Sequence, residues 1–344
     1  MGKNISVFDK VFTDSVRSYT KAHSTPYLQV GTGQRYSLIL NTPTNPEKSQ
    51  YYIQIESRER PTVTIGYAVL NYGSKPAIAP SPPPSPVLTL PNTTYDFLEY
   101  ALSPLRQSDI DAFPTAAEVT RRVTIRVHQH VAGQTIWLED GLPWTESTPK
   151  EPYLVSLYKN DTLEFPSMER ALANNGLDPV TSAFPAQVGE VLEIIIQNTG
   201  ADANGLDVHP WHAHGGHYYD IGSGNGTYNA TANEEKLVGY NPMKRDTTML
   251  YRYEKTTPNG TMAGWRAWRL RVQDPGVWMV HCHILQHMVM GMQTVWVMGN
   301  ETEVLGKVPR PEVEGYLIYG GSVNGNESHA PNVVHYFDDW TTSQ

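Results

Sequence analysis

The chain has 344 residues, of which 39% are apolar and 18% are charged, and it contains 27 Gly and 26 Pro. This turn-rich composition favours an all-β protein and argues against a coiled coil or a long helical bundle. The formal net charge of −9, without a basic block, argues against a nucleic-acid-binding surface. The sequence contains no run of 18 apolar residues that would predict a membrane span.

Short β-type runs separated by turn residues occupy the first part of the chain. Tyr36–Leu40, Tyr51–Ile55 and Val63–Leu70 are predicted strands. Segment 77–91 contains the run Ala-Ile-Ala-Pro-Ser-Pro-Pro-Pro-Ser-Pro, which predicts an extended polyproline strap that cannot pair in a central sheet. Residues 1–110 are therefore expected to form one β-unit that ends with this strap.

A second series of strands is predicted from about residue 119 onwards. The predicted strands are Val123–Val127, Thr135–Leu138, Val191–Asn198, Trp268–Val272, Val277–His281 and Gln293–Met298. Val191–Asn198 is almost continuously apolar at its start, which predicts burial on both faces. Ser167–Ala173 is a candidate short helix. We expect two Greek-key β-sandwich or barrel units, the second over residues 111–310, and a C-terminal tail over residues 311–344.

Six of the 12 histidines lie in two tight clusters. The first cluster is His209-Pro-Trp-His212-Ala-His214, and the second is His281-Cys282-His283 with His287 and Met292 shortly after it. Side chains alternate between the two faces of a strand. Cys282 is therefore expected to face one metal site while His281 and His283 face another, and His212 and His214 are expected to serve a different metal from His209.

The ligand types favour copper over a purely structural role for the clusters. Two His, one Cys and a weak axial Met form a blue-copper site, and Cys282, His287 and Met292 supply three of these ligands, with His209 as the candidate fourth. Zinc is a rival because it also takes Cys and His. Met suits soft copper better, so copper is the preferred prediction.

With these motifs the sequence resembles the C-terminal half of a multicopper oxidase, the family of laccases and ascorbate oxidases. Arg245-Asp246-Thr247, Asp274-Pro-Gly276 with Trp278, and Met292 within Met290-Gly-Met292 extend the likeness, the last being closest to ascorbate-oxidase-like members. Arg35-Tyr36-Ser37 resembles the second cupredoxin domain. The resemblance implies cupredoxin-like domains, with residues 1–110 an incomplete second domain and residues 111–310 the third.

The resemblance also implies roles for individual residues. His209, Cys282, His287 and axial Met292 resemble type 1 copper ligands, His212 resembles a type 2 ligand, and His214, His281 and His283 resemble type 3 ligands. The family's first domain adds two motifs, HWHG and HxH, which supply four more histidines to the trinuclear site. HWHG is absent here. His128-Gln-His130 forms an HxH, but it lies at the expected opening strand of the third domain and is not expected to bind copper.

The implied function is one-electron oxidation of a phenol or an enediol at type 1 copper, coupled to reduction of dioxygen to water. His287 would be the edge that accepts electrons, and Cys282, His281 and His283 would connect the two copper sites. The missing histidines would come from a separate N-terminal chain or domain. The alternatives are a chain that binds only type 1 copper for electron transfer, and an inactive fragment.

Eight N-x-S/T sequons indicate a secreted glycoprotein lineage. Their asparagines are Asn4, Asn92, Asn160, Asn225, Asn229, Asn259, Asn300 and Asn326. The N-terminus lacks the apolar region of a signal peptide, so the expected localisation by resemblance conflicts with the start of this sequence. The single cysteine excludes a disulfide within the chain.

Overall fold

The computed structural model describes residues 10–13, 19–40, 44–73, 81–144, 153–159 and 164–307. Strands dominate the regular structure of these residues. The strands are β1 Lys10–Thr13, β2 Tyr36–Ile39, β3 Gln50–Glu56, β4 Ile65–Asn71, β5 Arg121–Ala132, β6 Gln134–Glu139, β7 Ala183–Ala186, β8 Val191–Thr199, β9 His209–Ala213, β10 Tyr218–Gly224, β11 Lys244–Arg245, β12 Thr247–Leu250, β13 Met262–Arg271, β14 Gly276–Cys282 and β15 Gln293–Met298.

The helices in the described residues are short. They are α1 Gln107–Asp111, α2 Tyr153–Lys159, α3 Met168–Leu172, α4 Ala230–Leu237, α5 Leu285–Val289 and α6 Glu301–Gly306, with a 3-10 turn at Ala116–Glu118. The predicted helix at 167–173 is confirmed as α3, which Ser167 caps by accepting a hydrogen bond from the Arg170 amide. Across the described ranges, we find no helix with the length and apolar character needed to cross a membrane.

Two sheets pack face to face to form a β-sandwich. One has six strands in the order β11-β10-β13-β8-β5-β6, and the other has five in the order β12-β9-β14-β15-β7. The non-consecutive order of neighbouring strands gives the predicted Greek-key character. All nine residues of β8 are buried, as predicted, because β8 lies between β13 and β5 inside the first sheet.

Tryptophans from both sheets fill the core between them. Trp268 of β13 comes from the first sheet, while Trp211 of β9 and Trp296 of β15 come from the second, and all three are fully buried. Cys282 and Met292 belong to the same apolar cluster. The candidate ligands therefore lie at the edge of a tightly packed core, which restricts their rotamers.

The first part of the chain contributes two small antiparallel pairs, β1 with β2 and β3 with β4. Residues 77–80 of the predicted strap lie outside the described residues, and residues 81–91 contain no strand. The strap lies along the β3–β4 hairpin: Tyr52 donates from Oη to the Ser81 carbonyl at 2.9 Å, and Gln54 Nε2 donates to the Leu88 carbonyl at 2.9 Å.

Candidate metal centre

Two neighbouring strands position most of the candidate ligands. β9 and β14 pair antiparallel, with His281 opposite His212 and Cys282 opposite Trp211. Because side chains alternate along each strand, Cys282 points into the sandwich core whereas His281 points to the opposite face. The predicted division of the ligands into two sets is reproduced in the geometry.

The first set is formed by His209, Cys282 and His287. The two histidine Nδ1 atoms lie 3.2 Å apart, and each is 3.8 Å from Cys282 Sγ. When two nitrogens bind one metal at about 2.0 Å and the nitrogen–metal–nitrogen angle is about 105–120°, the nitrogens are about 3.2–3.6 Å apart. A nitrogen and a thiolate sulfur bound to the same metal are about 3.8 Å apart. The three donor atoms therefore fit a trigonal metal site, and all three residues are buried.

Met292 is joined to this set through the backbone. Its carbonyl accepts a hydrogen bond from the Cys282 amide at 3.1 Å, and its own amide donates to the His287 carbonyl at 3.0 Å. The side chain is fully buried in the same apolar cluster as Cys282. The Met292 backbone is therefore held beside Cys282 and His287.

The second set is formed by His212, His214 and His281, whose nitrogens lie within 4.8 Å of one another. The Nε2 atoms of His214 and His281 are 3.2 Å apart. The ring of His283 lies 5.6 Å from the ring of His212 and 5.7 Å from the ring of His281, centroid to centroid. The four histidines thus form one cluster on the side of β14 opposite to Cys282.

Hydrogen bonds at Nδ1 orient two of these rings. His212 Nδ1 lies 3.0 Å from the Asp246 carbonyl and 2.9 Å from Thr247 Oγ1, and His281 Nδ1 lies 2.9 Å from the Cys282 carbonyl. A carbonyl only accepts, so each Nδ1 carries the proton and each Nε2 keeps a free lone pair. The backbone oxygen thereby selects the tautomer that can bind a metal through Nε2.

Burial favours the neutral form of His209, Cys282 and His287 in the first set and of His212, His214 and His281 in the second. It is the main cause that lowers the pKa of His209 and His287 and raises the pKa of the Cys282 thiol. It also lowers the pKa of His212 and His281 to about 4. Neutral imidazoles are ready to bind a metal at pH 7, whereas the thiol must first lose its proton.

Two residues beside the first set were not found from the sequence. The Trp137 ring of β6 lies 4.6 Å from the His209 ring and 5.0 Å from the His287 ring. Asp207 Oδ2 lies 3.5 Å from His287 Nε2. No sequence pattern marks Trp137, but Asp207 precedes His209 by two residues, and this spacing is a usable signal.

The first part of the chain reaches the second set. Arg35 forms a bidentate ion pair with Asp246, with 3.0 Å from Nη1 to Oδ1 and 2.6 Å from Nη2 to Oδ2. Gly33 lies against His283 so closely that a Cβ at this position would be 2.4 Å from a ring carbon. Gly33 therefore contributes packing, and Arg35 contributes charge, close to the second set.

His128 and His130 lie away from both sets. His128 Nε2 is 2.8 Å from Asp202 Oδ1, and His130 Nδ1 is 2.7 Å from Asp202 Oδ2. The Asp202 carboxylate also accepts hydrogen bonds from the Val131 amide and from Asn259 Nδ2. The hydrogen bonds of His128 and His130 with Asp202 therefore connect β5 to the loop that follows β8.

Comparisons with known proteins agree with this architecture. Residues 146–302 match the family described as Multicopper oxidase. The chain is 45% identical over 337 residues to Laccase-like multicopper oxidase 1 of Thermothelomyces thermophilus, covering 93% of this chain and 51% of the relative. It is 46% identical over 354 residues to Multicopper oxidase terE of Aspergillus terreus, covering 93% and 65%. L-ascorbate oxidase of Brassica rapa is 28% identical over 322 residues, covering 87% and 52%.

Solved structures give the same fold. Fet3p, a multicopper oxidase that functions in iron import, aligns with a TM-score of 0.59 at 17% identity, over 95% of this chain and 60% of its own. Laccase from Botrytis aclada aligns with a TM-score of 0.55 at 18% identity, over 87% and 49%. The predicted all-β, cupredoxin-like fold is confirmed. The chain spans about half to two thirds of the length of these curated relatives.

Proposed function

We propose that the chain is a member of the multicopper oxidase family, in line with the match over residues 146–302 and with relatives of that name at 45% and 46% identity, and that His209, Cys282 and His287 hold a type 1 copper with Met292 as its axial ligand. The observation that carries the proposal is the convergence of two Nδ1 atoms and one Sγ at 3.2 and 3.8 Å. Copper bound in the family's sites supplies one-electron oxidation of a reducing substrate coupled to reduction of dioxygen to water. In this proposal residues 111–310 form the copper-binding unit, residues 1–110 a preceding unit and residues 311–344 a tail.

The second set supports half of a trinuclear site. His212 is proposed as the type 2 ligand, and His214, His281 and His283 as type 3 ligands. The peptide bonds from Cys282 to His281 and His283 connect the two sites covalently. Four further histidines are needed, and we propose that a separate N-terminal chain or domain of the family supplies them, so that dioxygen reduction requires that unit.

The substrate side is proposed to lie at the edge of His287. Asp207 Oδ2, 3.5 Å from His287 Nε2, is placed to accept a hydrogen bond from a hydroxyl group that approaches this ring, and to hold the proton that the hydroxyl releases on oxidation. Phenols and enediols carry such hydroxyls. Trp137 packs against the inner side of the same imidazole and holds its orientation.

A second candidate function is electron transfer by type 1 copper alone. The three donors of the first set and Met292 all come from residues 209–292, and the site needs no further ligand, whereas the second set is incomplete. The remaining alternative is an inactive fragment, in which the first set would not bind copper, and a blue colour after copper loading distinguishes the two.

We propose that the chain is a secreted glycoprotein. In support, the described sequon residues Asn92, Asn225, Asn229 and Asn300 are exposed. Asn229 and Asn300 cap α4 and α6 through their side-chain oxygens, which leaves the amide nitrogen available to carry a glycan. Asn259 differs because its nitrogen donates to Asp202.

Measurement of copper per chain, together with visible and paramagnetic-resonance spectra, tests the type 1 assignment and its alternatives. About one copper per chain with a blue thiolate band is expected when the chain is loaded alone, since only the first set is complete. Cys282→Ser should lose this band, whereas His214→Ala should keep it. A colourless chain after loading, or a blue band that survives Cys282→Ser, would contradict the type 1 assignment.

A further inference from the structure

A cavity of about 360 Å³ opens between the first part of the chain and the first ligand set. Its wall includes Val208 and Pro210 on either side of His209, and Ile284 between Cys282 and His287. The opposite wall includes Arg58 and Arg60 from the turn that joins β3 to β4. This volume is in the range of small-molecule sites, and the lining combines apolar side chains with a few charges.

The two arginines of this turn differ in their partners. Arg58 Nη2 lies 2.5 Å from Glu56 Oε2, and Arg58 Nη1 donates to the Pro91 carbonyl. Glu59 pairs with Arg252. Arg60 donates a hydrogen bond to the Glu59 carbonyl. It also forms an ion pair with Asp207, at the long distance of 4.0 Å. Its side chain is 48% exposed, so its charge is available to a ligand.

Arg60 is connected to the electron-accepting edge through one carboxylate. Asp207 Oδ2 lies 4.0 Å from Arg60 Nη1 and 3.5 Å from His287 Nε2. In this arrangement the Arg60 guanidinium lies beside the carboxylate that would take a ligand hydroxyl, and the same arginine also lines the cavity. The Arg60 side chain is long and flexible, so it can follow an anionic group into the cavity.

We propose that this cavity selects reducing substrates that carry an anionic group, and specifically phenols that carry a carboxylate, with Arg60 as the specificity-determining residue. Guanidinium and carboxylate form charge-assisted, often bidentate hydrogen bonds. A neutral phenol of the same shape gains only the apolar contacts and the hydroxyl interaction. This inference rests on the proposed function for the identity of the reaction, but the binding preference stands without it.

The test compares 3-(4-hydroxy-3-methoxyphenyl)propanoate with its methyl ester. The two differ in charge, and the saturated linker keeps the phenol ring electronically alike. Their dissociation constants are measured by calorimetry on the full chain at pH 7 and low salt. In a second measurement, each compound reduces the copper-loaded chain without dioxygen, and the rate of loss of the blue band is followed.

We expect the carboxylate to bind about three- to tenfold more tightly than the ester and to react faster by a similar factor. The ratio should fall to about one in Arg60→Gln, persist in part in Arg60→Lys, and shrink in high salt because the charges are screened. Arg106→Gln is the matched control, because Arg106 is exposed and does not line the cavity; its ratio should equal that of the unmodified chain.

Equal affinities for the acid and the ester, or a ratio that survives Arg60→Gln, would overturn the inference even if the chain is blue and is reduced by both compounds. A carboxylate preference that depends on Arg60 supports the inference even in a chain that gives no blue band. In that case the type 1 proposal fails while the binding preference stands.

Discussion

Metal binding at the first ligand set is predicted to release one proton, which comes from Cys282. Burial raises the pKa of the thiol and lowers the pKa of His209 and His287. Between pH 7 and 8.5 the empty site therefore holds one thiol proton and two neutral imidazoles. A metal binds the thiolate and neutral imidazoles, so only the thiol proton has to leave.

The magnitude follows from this count. Release of one proton makes the apparent association constant rise tenfold for each unit of pH, which corresponds to about 1.4 kcal/mol per unit. If the two imidazoles were charged as well, three protons would be released, and the slope of the logarithm of the apparent association constant against pH would approach three. The direction of the pH dependence is also fixed. The thiol keeps its proton below its folded-state pKa, so metal binding weakens as pH falls.

Calorimetry with Co²⁺, which does not oxidise thiols, checks the prediction. Titrations in two buffers with different ionisation enthalpies give the number of protons released at each pH. Cys282→Ser is the key comparison, because a serine hydroxyl has nearly the same shape as the thiol but stays protonated. We expect this variant to release one proton fewer than the unmodified chain, whereas His214→Ala should still release the thiol proton. Equal proton release with and without the thiol would refute the reasoning.

Three further changes test other parts of the structure. Met292→Leu conserves core volume, so it should cost less than about 1.5 kcal/mol in chemical unfolding, keep the blue band and raise the reduction potential; an unchanged potential would mean that Met292 is not axial. Gly33→Ala combines a φ of +81° with a Cβ 2.4 Å from the His283 ring, so it should lower the unfolding free energy by more than about 1 kcal/mol in chemical unfolding and leave the blue band unchanged in absorption spectra. Asp202 has a pKa that burial would raise but that hydrogen bonds from its neighbours lower to about 2, below its usual 3.8. The stabilisation that the Asp202 carboxylate provides, about 1 kcal/mol or less at this partly exposed site, is therefore complete above pH 4 and is lost as pH falls through 2, so the unfolding free energies of the unmodified chain and Asp202→Asn should converge in acid.

Strand periodicity predicted the cores of the elements better than their limits. The strand predicted at 268–272 is the end of β13, which begins at Met262. Its early residues include Ala263 and Gly264, which give no alternating apolar signal, and the register with β8 shifts there. Helix α4 was missed because its sequence, ATANEEKL, has no apolar periodicity; its cap at Asn229 is the local signal that marks its start.

The grouping of the histidines and Cys282 into two sets was predictable because it depends on local alternation and on short spacings. His281 and Cys282 are neighbours in one strand, so their opposite orientation follows from backbone geometry alone. The role of Trp137 was not predictable. It lies 72 residues before His209 in the sequence, and only the packing of β6 brings the two rings together. Gly33 was missed for the same reason: only tertiary packing brings residue 33 against His283.

The difference between the two sets has a consequence for assembly. The first set draws its donors from β9, β14 and the α5 segment of one sandwich, so folding of that sandwich is sufficient to bring them together. The second set and its neighbour His283 come from β9, β14 and the residues that directly follow them, with Gly33 against His283 and Arg35 paired with Asp246 beside them. Metal binding at the first set should therefore follow folding of that sandwich, whereas under the proposed function the second set should become a high-affinity site only when another unit adds ligands.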